Sequence, residues 1–205
     1  MSPPHSPAPA TAAVSSMFAD DLVARGWSQQ SAFLPAELTI TLADECRQLA
    51  LAGAMHRATV GRSGQQAPAV RGDAIHWLGA GQSVACDRYL TLMETLRLSL
   101  NRSLYLGLDS YESHFAVYAQ GAAYQKHVDR FRDDDRRTVS VVIYLNADWR
   151  GDQGGALRLH PERGPQRDIA PHGSHLVLFL SADMAHEVLP ATRERLSLAG
   201  WFRRR

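Results

Sequence analysis

Apolar residues recur three or four positions apart in three segments of the N-terminal half, a spacing that places them on one side of a helix. The predicted helices are Met17–Arg25, which ends before Gly26, Pro35–Leu51 and Asp87–Leu106. Between them, Trp27–Leu34 and the alternating run Arg71–Leu78 predict strands. The first half of the chain is therefore expected to be mainly helical.

From Tyr111 onward the pattern changes to short apolar or alternating runs, separated by turn residues such as Gly154-Gly155 and Gly164-Pro165. The predicted strands are Glu112–Ala119, Thr138–Leu145, Ala156–Leu159, His175–Leu180, Glu187–Leu189 and Arg195–Phe202. Many short strands with Gly and Pro turns are typical of a sandwich or barrel, here a jelly roll. We therefore predict an α+β fold in which N-terminal helices buttress one sheet of a jelly-roll core.

The length of 205 residues fits a single domain. Residues 1–13 are rich in Pro, Ala and Ser, a composition typical of disordered tails. We predict a disordered tail over 1–13 and one domain over 14–205, with helical support over about 14–110 and a β core over about 111–203.

Composition narrows the possible partners and compartment. The net charge of +1 does not favour binding to nucleic acid, and we interpret the basic end Arg203–Arg205 as a solvated terminus. The two cysteines, Cys46 and Cys86, lie in apolar surroundings and are predicted to be reduced. No apolar run is long enough to cross a membrane, and the N-terminus lacks a signal-peptide layout. A cytoplasmic protein is expected.

The candidate chemistry is concentrated in the segment Tyr124–Asp129. His127 and Asp129 are two positions apart, so an extended chain directs both side chains to the same side. His186, which follows another predicted strand, would complete a set of two histidines and one carboxylate. Such a set binds one face of Fe(II) and leaves the remaining positions open for substrate and O₂. The pattern predicts a non-haem iron oxygenase.

Nine residues beyond His186, Arg195 begins the last alternating strand. Arginine is well suited to bidentate capture of a carboxylate, so an acidic co-substrate is expected beside the iron. Arg193 is an alternative, because its strand parity would direct it to the same face.

The sequence leaves two possible roles open for each of two further segments. Arg57–Val70, rich in Gly, Ser and Gln, is either a lid over an active site or an ordinary solvent loop. The charge run Asp133–Arg137 is either a solvated loop or a surface that docks a substrate.

With these residues assembled, the chain resembles the Fe(II)/2-oxoglutarate oxygenases, and within them the bacterial relatives of the hypoxia-inducible-factor prolyl hydroxylases. The similarity extends from about Arg71 to Phe202. The matching motifs are Arg71-Gly72-Asp73-x-Ile75-x-Trp77, Tyr118 ahead of Tyr124-x-x-His127-Val128-Asp129, Tyr144-Leu145-Asn146-x-x-Trp149, Gly154-Gly155-x-Leu157-Arg158, His186-Glu187-Val188-x-Pro190, and Arg195 followed by Trp201. The spacing of these motifs favours Arg195 over Arg193.

The resemblance implies a double-stranded β-helix with the metal near one open end. It implies that His127, Asp129 and His186 bind Fe(II), and that Arg195 and Tyr144 bind the distal carboxylate of 2-oxoglutarate. The remaining implied site residues are Tyr118 in the co-substrate pocket and, on the substrate side, Arg71, Asp73 and Trp201. The implied co-substrates are 2-oxoglutarate and O₂, with ascorbate as a candidate reductant.

The function expected from this resemblance is hydroxylation, of the prolyl 4-hydroxylase type, of a proline in a protein substrate, for which a translation elongation factor is one candidate. Succinate and CO₂ would be released. The alternatives are a hydroxylase of a free amino acid or other small molecule, and a non-enzymatic metal-binding sensor or interaction module. A nucleic-acid demethylase is less favoured, because such repair enzymes carry a further arginine six residues after the co-substrate arginine, where this chain has Trp201. No nucleic-acid or membrane partner is expected, and a monomer is favoured.

Overall fold

The computed structural model describes residues 9–59, 67, 69–129 and 136–205, with side chains from Met17 onward. The helices are α1 (Pro9–Arg25), α2 (Ala36–Leu51) and α3 (Val84–Leu104), and Gly151–Gln153 forms a short 3-10 helix. The strands are β1 (Trp27–Gln30), β2 (His56–Arg57), β3 (Asp73–Trp77), β4 (Leu108–Tyr118), β5 (Tyr124–His127), β6 (Arg137–Tyr144), β7 (Leu157–His160), β8 (Arg167–Ile169), β9 (Leu176–Leu180), β10 (Ala185–Val188) and β11 (Arg195–Arg204).

Local chemistry explains where α3 begins and ends. The Ser83 hydroxyl accepts a hydrogen bond from the backbone N–H of Cys86 at 3.0 Å, which satisfies one of the free donors at the helix N-terminus. Tyr105 follows the last turn in a left-handed conformation, with a φ of 54°. The helix therefore stops before Gly107, and the chain turns back into β4.

The strands form two antiparallel sheets. The major sheet has seven strands in the order β1-β9-β6-β11-β4-β3-β2, and the minor sheet has four in the order β5-β10-β7-β8. The long central strands β4, β6 and β11 carry most of the major sheet, since β11 pairs with both of the others. Two facing antiparallel sheets of this kind confirm the predicted jelly roll, the double-stranded β-helix of an α+β fold.

Two apolar clusters pack on opposite faces of the major sheet. The first joins the helices to one face, and includes Leu42, Met93, Phe115 and Leu198. The second lies on the other face, where Ala116, Tyr144 and Phe179 meet Leu159 and Val188 of the minor sheet. The helices thus buttress one sheet, as predicted, and leave the space between the two sheets for the site described below.

The elements differ from the predictions in several places. Helix α1 begins at Pro9, so it includes part of the segment expected to be disordered, while residues 1–8 lie outside the described residues. Strand β1 ends at Gln30 rather than Leu34, because Ala32 adopts a turn conformation with a φ of 54°. Strands β1 and β3 lie where strands were predicted, whereas β2 was not predicted, and the three extend the major sheet on both sides.

Two segments discussed above lie wholly or partly outside the described residues. Most of the Arg57–Val70 loop, and residues 133–135 of the charge run, lie outside the described residues. Cys46 and Cys86 are buried and unpaired, as predicted. Within the described residues, no helix has the length and apolar character needed to cross a membrane.

Candidate metal and co-substrate site

Two histidines are direct cross-strand neighbours in the minor sheet. His127 on β5 pairs with His186 on β10, so both side chains emerge on the same face of the sheet. Their ring centroids are 4.2 Å apart. The two antiparallel strands thus bring together residues that are far apart in the chain.

Backbone carbonyls set the tautomer of both rings. The Nδ1 atom of His127 lies 2.7 Å from the Gln125 carbonyl oxygen, and the Nδ1 atom of His186 lies 3.0 Å from that of Met184. Because a carbonyl only accepts, each Nδ1 carries the proton and donates it. Both Nε2 atoms are left with a lone pair, which is the arrangement that metal-binding histidines adopt.

Asp129 faces both Nε2 atoms from just beyond the end of β5. Its two carboxylate oxygens lie 3.6 Å from His127 Nε2 and 3.6 Å from His186 Nε2. The Ser140 hydroxyl on β6 donates to Asp129 Oδ2 at 2.7 Å, and so ties the carboxylate to the major sheet. The site therefore spans both sheets.

The ionisation states of this group suit a metal ion. Burial opposes the charge of Asp129, but the pKa of its carboxyl still lies below the ordinary range, and the hydrogen bond from the Ser140 hydroxyl favours the ionised form. Burial lowers the pKa of His186 against the opposing effect of Asp129, so the ring is neutral at physiological pH. Metal binding requires such deprotonated ligands.

The donor atoms of His127, Asp129 and His186 all lie within 4.8 Å of one another, the one such group among the described residues. Without a cation between them, the two nitrogen lone pairs and the negative carboxylate would repel one another. The arrangement therefore fits a divalent ion, and two imidazoles with one carboxylate favour Fe(II).

Arg195 lies in the same cavity, at the start of β11. Its side chain is 1% exposed, and within the described part of the chain no carboxylate forms an ion pair with it. Its Nε donates to the Gly155 carbonyl at 3.0 Å and its Nη1 donates to the Ser197 hydroxyl at 3.2 Å. A buried guanidinium that has only neutral partners is suited to an anionic ligand.

The Asn146 side chain and the conformation of Gly155 fix the position of Arg195. Asn146 is buried and accepts the Leu196 N–H at 2.7 Å, while it donates to the Leu196 carbonyl at 3.1 Å, so the start of β11 is held on both sides. Gly155 has a φ of 72°, and a Cβ there would lie only 2.9 Å from the Trp149 ring. Only glycine permits the chain to approach Arg195 at this point.

Tyr144 and Tyr118 flank the guanidinium of Arg195. The Arg195 Cζ lies 5.0 Å from the Tyr144 ring centroid and 5.1 Å from that of Tyr118. The Tyr144 hydroxyl is buried and has no hydrogen-bond partner among the described residues. Burial raises the pKa of Tyr144 to about 12, so this hydroxyl is available as a neutral donor. The roles expected for both tyrosines toward a co-substrate stay predictions.

A cavity of about 230 Å³ is lined by His127, Asp129 and His186 and also by Arg195 and Tyr118. The residues predicted on the substrate side, Arg71, Asp73 and Trp201, also line it. Arg71 and Asp73 form a bidentate ion pair with each other at 2.7 and 3.0 Å. Trp201 lies further along β11, and its buried indole N–H has no hydrogen-bond partner within the described ranges.

Arg193, the alternative to Arg195, and Glu187, which directly follows His186, do not line the cavity. Arg193 precedes β11 and places its guanidinium 5.2 Å from the Trp149 ring centroid, outside the cavity. Glu187 emerges on the other side of β10 and pairs with His160 at 2.9 Å.

Sequence reasoning gave no role to three residues that shape the site. Ser140 shares strand parity with Tyr144 on β6, which is a signal that could have placed it in the cavity. Tyr124 stacks on the His127 ring with centroids 3.6 Å apart, and His114 lies in the cavity wall. These two contacts depend on neighbours in space, and nothing in the local sequence pattern indicates them.

Comparison with known proteins agrees with this geometry. Residues 113–203 match the model of the 2OG-Fe(II) oxygenase superfamily. Egl nine homolog 1 from Homo sapiens is 32% identical over 181 residues, which are 83% of this chain but only 42% of that protein. The chain thus spans about half or less of the length of the curated relatives it matches.

Two solved structures are similar over nearly the whole chain. A Pseudomonas putida prolyl-4-hydroxylase is 50% identical, with a TM-score of 0.87, and the match covers 93% of this chain and 99% of that one. A Trichoplax adhaerens prolyl hydroxylase in complex with a hypoxia inducible factor peptide is 26% identical, with a TM-score of 0.88 and coverage of 95% and 90%. The chain therefore belongs to the 2OG-Fe(II) oxygenase superfamily, whose members use Fe(II), 2-oxoglutarate and O₂.

Proposed function

We propose that this chain is an Fe(II)- and 2-oxoglutarate-dependent prolyl hydroxylase that acts on a protein substrate. The observation that carries the proposal is one cavity that is lined both by a group of two histidines and one carboxylate and by a buried arginine that pairs with no acidic residue of the described chain. The 50% identity to a bacterial prolyl-4-hydroxylase supports proline as the target.

In this proposal His127, Asp129 and His186 hold the iron. Arg195 binds the distal carboxylate of 2-oxoglutarate by a charge-assisted hydrogen bond worth about 1.5–3 kcal/mol, and Tyr144 adds a neutral one worth nearer about 1 kcal/mol. Tyr118 packs beside the co-substrate. When bound, iron and 2-oxoglutarate supply the oxidising chemistry, in which O₂ is consumed, succinate and CO₂ are released and one oxygen atom enters the substrate.

The protein's own contribution is to position these groups and to exclude water from them. The Gln125 and Met184 carbonyls hold the two imidazoles in the tautomer that binds metal. Ser140 orients the carboxylate of Asp129. The apolar contacts of Ala116, Leu157 and Val188 between the two sheets keep the floor of the cavity dry.

The upper part of the cavity is where we place the substrate residue. Trp77, which is 49% exposed, and Trp201 form an aromatic wall with ring centroids 6.3 Å apart. An apolar wall beside an exposed tryptophan suits a proline ring carried on an extended peptide. The Arg71–Asp73 pair lies on the adjoining side, and a lid formed by the Arg57–Val70 segment remains part of the proposal.

A hydroxylase of free amino acids is the second candidate. A free amino acid needs partners for its ammonium and carboxylate groups, whereas Arg71 at this end is already paired with Asp73. A metal-binding module without activity is the third.

We further propose that the protein is cytoplasmic and acts as a monomer. Ascorbate is proposed as an auxiliary reductant, and a translation elongation factor is a candidate substrate.

Incubation with Fe(II), 2-oxoglutarate and ascorbate, together with lysate proteins of the host, tests the proposal. We expect succinate release and a new +16 Da modification on a proline-containing peptide, both lost in the His127→Ala and Asp129→Ala variants while these remain folded. Modification of free amino acids alone would favour the second candidate. The absence of succinate under all conditions would favour the third.

A further inference from the structure

His114 is a buried histidine in the cavity wall that does not belong to the metal-binding group. It lies on β4 with 1% of its surface exposed. Its ring packs between Trp77 and Trp201, with centroid distances of 5.0 and 5.5 Å. A histidine ring has two hydrogen-bonding nitrogens, Nδ1 and Nε2, and both are buried in His114.

Two hydrogen bonds define the tautomer of His114. Its Nδ1 lies 3.2 Å from the Ala199 carbonyl oxygen, which can only accept, so Nδ1 carries the proton. Its Nε2 then accepts from Nη2 of Arg71 at 3.4 Å. Burial and the charges of Arg71 and Arg137 lower the pKa of His114 to about 3, so the ring keeps its lone pair at physiological pH.

The contact with His114 completes the coordination of the Arg71 guanidinium. Asp73 accepts from Nε and from one N–H of Nη2, at 2.7 and 3.0 Å. The second N–H of Nη2 is the one that His114 accepts. Without an acceptor at His114, this N–H would lose its partner, and the guanidinium would be held only by Asp73 and, through Nη1, by the Thr59 carbonyl at 3.4 Å.

Arg71 is in turn connected to the strand that carries His127. Its Cζ lies 4.9 Å from the centroid of the Tyr124 ring, and that ring stacks on His127 at 3.6 Å. The backbone beside Arg71 also pairs with this strand, since Gln125 N–H donates to the Val70 carbonyl at 2.8 Å. The chain of contacts thus runs from His114 through Arg71 and Tyr124 to His127.

We propose that His114 is a positioning residue for the metal site: by accepting a hydrogen bond from Arg71, it fixes the guanidinium against Tyr124 and so holds His127 in register with His186. This inference rests on the proposed function, because it assumes that His127 binds the metal. His114 itself touches neither the metal-binding atoms nor Arg195.

Two substitutions separate the two hydrogen bonds of His114. In His114→Gln the side-chain amide reaches the position of Nε2, so its oxygen can still accept from Arg71. In His114→Asn the shorter amide reaches only the position of Nδ1, so it can donate to the Ala199 carbonyl but cannot reach Arg71. A purely structural role would not distinguish these two variants by metal affinity.

The measurement is titration of the metal-free full chain with Mn²⁺ alone, a redox-stable divalent ion whose free form is followed by electron paramagnetic resonance. We expect His114→Asn to weaken Mn²⁺ binding about tenfold, the loss of one hydrogen bond to a charged group. His114→Gln should stay within about twofold of the unmodified chain.

His76→Gln is the matched control. His76 lies on the neighbouring strand β3 and also contacts a backbone carbonyl, that of Ala54 at 3.0 Å, but it does not line the cavity. It should leave Mn²⁺ affinity unchanged. An equal loss of affinity in His76→Gln, or in both His114 variants alike, would overturn the positioning role, as would unchanged affinity in His114→Asn.

The unmodified chain separates failure of this inference from failure of the proposed function. If it binds no Mn²⁺, the metal site itself is wrong and the inference falls with it. If it binds Mn²⁺ and His114→Asn binds equally well, only the inference fails. Nitrogen NMR of the folded protein gives an independent check: it should find the proton of His114 on Nδ1, and a proton on Nε2 would overturn the proposed acceptor.

Discussion

The two faces of the major sheet are built by the same strands but differ in chemistry. On β11, Leu196, Leu198 and Phe202 face the helices and belong to the helix-side apolar cluster. The alternate residues Arg195, Ser197 and Trp201 line the cavity. Strand β6 repeats the pattern, with Ile143 toward the helices and Tyr144 toward the cavity.

This difference indicates that one face supplies stability and the other supplies chemistry. A side chain on the helix-facing side gains free energy from apolar burial, about 25 cal/mol per Å² removed from water. On the other face, the Tyr144 hydroxyl and the Trp201 N–H are buried and find no partner in the part of the chain that the structure describes. Such groups cost stability, so their presence is explained by a ligand. Substitutions on the two faces should therefore separate stability from activity.

The largest expected effect is on stability, from Leu198→Ala on the helix-facing side. Leu198 is 0% exposed, so the substitution should lower the free energy of unfolding by about 2–5 kcal/mol. The Michaelis constant for 2-oxoglutarate of the protein that remains folded should not change. Urea unfolding measures the first quantity, and Leu98→Ala, at a position that is 45% exposed, is the control with a small expected loss.

Arg195→Ala tests the opposite face. It removes the only charged group at the floor of the cavity that the described residues provide, and should raise the apparent Michaelis constant for 2-oxoglutarate tenfold or more, equivalent to about 1.5–3 kcal/mol. Arg193→Ala, outside the cavity, is the matched control and should leave the constant unchanged. The reverse result would transfer the carboxylate-binding role to Arg193.

Ser140→Ala sharpens the comparison within one strand. Its hydroxyl donates to Asp129, and loss of such a partner of a metal ligand typically lowers metal affinity by about tenfold or more. The measurement is the Fe(II) concentration that gives half-maximal succinate release. Val139→Ala, one residue away on the helix-facing side, should instead lower the unfolding temperature and leave the Fe(II) requirement unchanged.

Tyr144→Phe is expected to have the smallest effect. It removes one neutral hydroxyl, so the apparent affinity for 2-oxoglutarate should fall about fivefold, for a loss of about 1 kcal/mol. Because no described residue forms a hydrogen bond with this hydroxyl, the unfolding temperature should not fall. A clear loss of stability with unchanged affinity would mean that Tyr144 serves the core and not the co-substrate.

Alternation along the strands made much of this arrangement predictable. The period of two in Arg195–Phe202 and Thr138–Leu145 indicated which residues share a face, and apolar periodicity indicated the three helices. The spacing of His127 and Asp129 predicted that their side chains lie together, and the two lie within 3.6 Å.

The parts that could not be predicted depend on tertiary neighbours. The short strands β2 and β8 have too few residues to produce a periodic pattern. The stacking of Tyr124 on His127, and the hydrogen bond from Arg71 to His114, join residues whose proximity arises only when β3, β4 and β5 are assembled. Ser140 was hidden because a serine in an otherwise apolar strand has no distinctive signal.

The most direct test of the central claim is anomalous scattering at the iron edge from crystals prepared without oxygen, in the presence of Fe(II) and 2-oxoglutarate. We predict one iron atom bonded to Nε2 of His127, Nε2 of His186 and the carboxylate of Asp129, with the distal carboxylate of 2-oxoglutarate against Arg195. Iron bound by any other set of residues, or a co-substrate carboxylate away from Arg195, would contradict it.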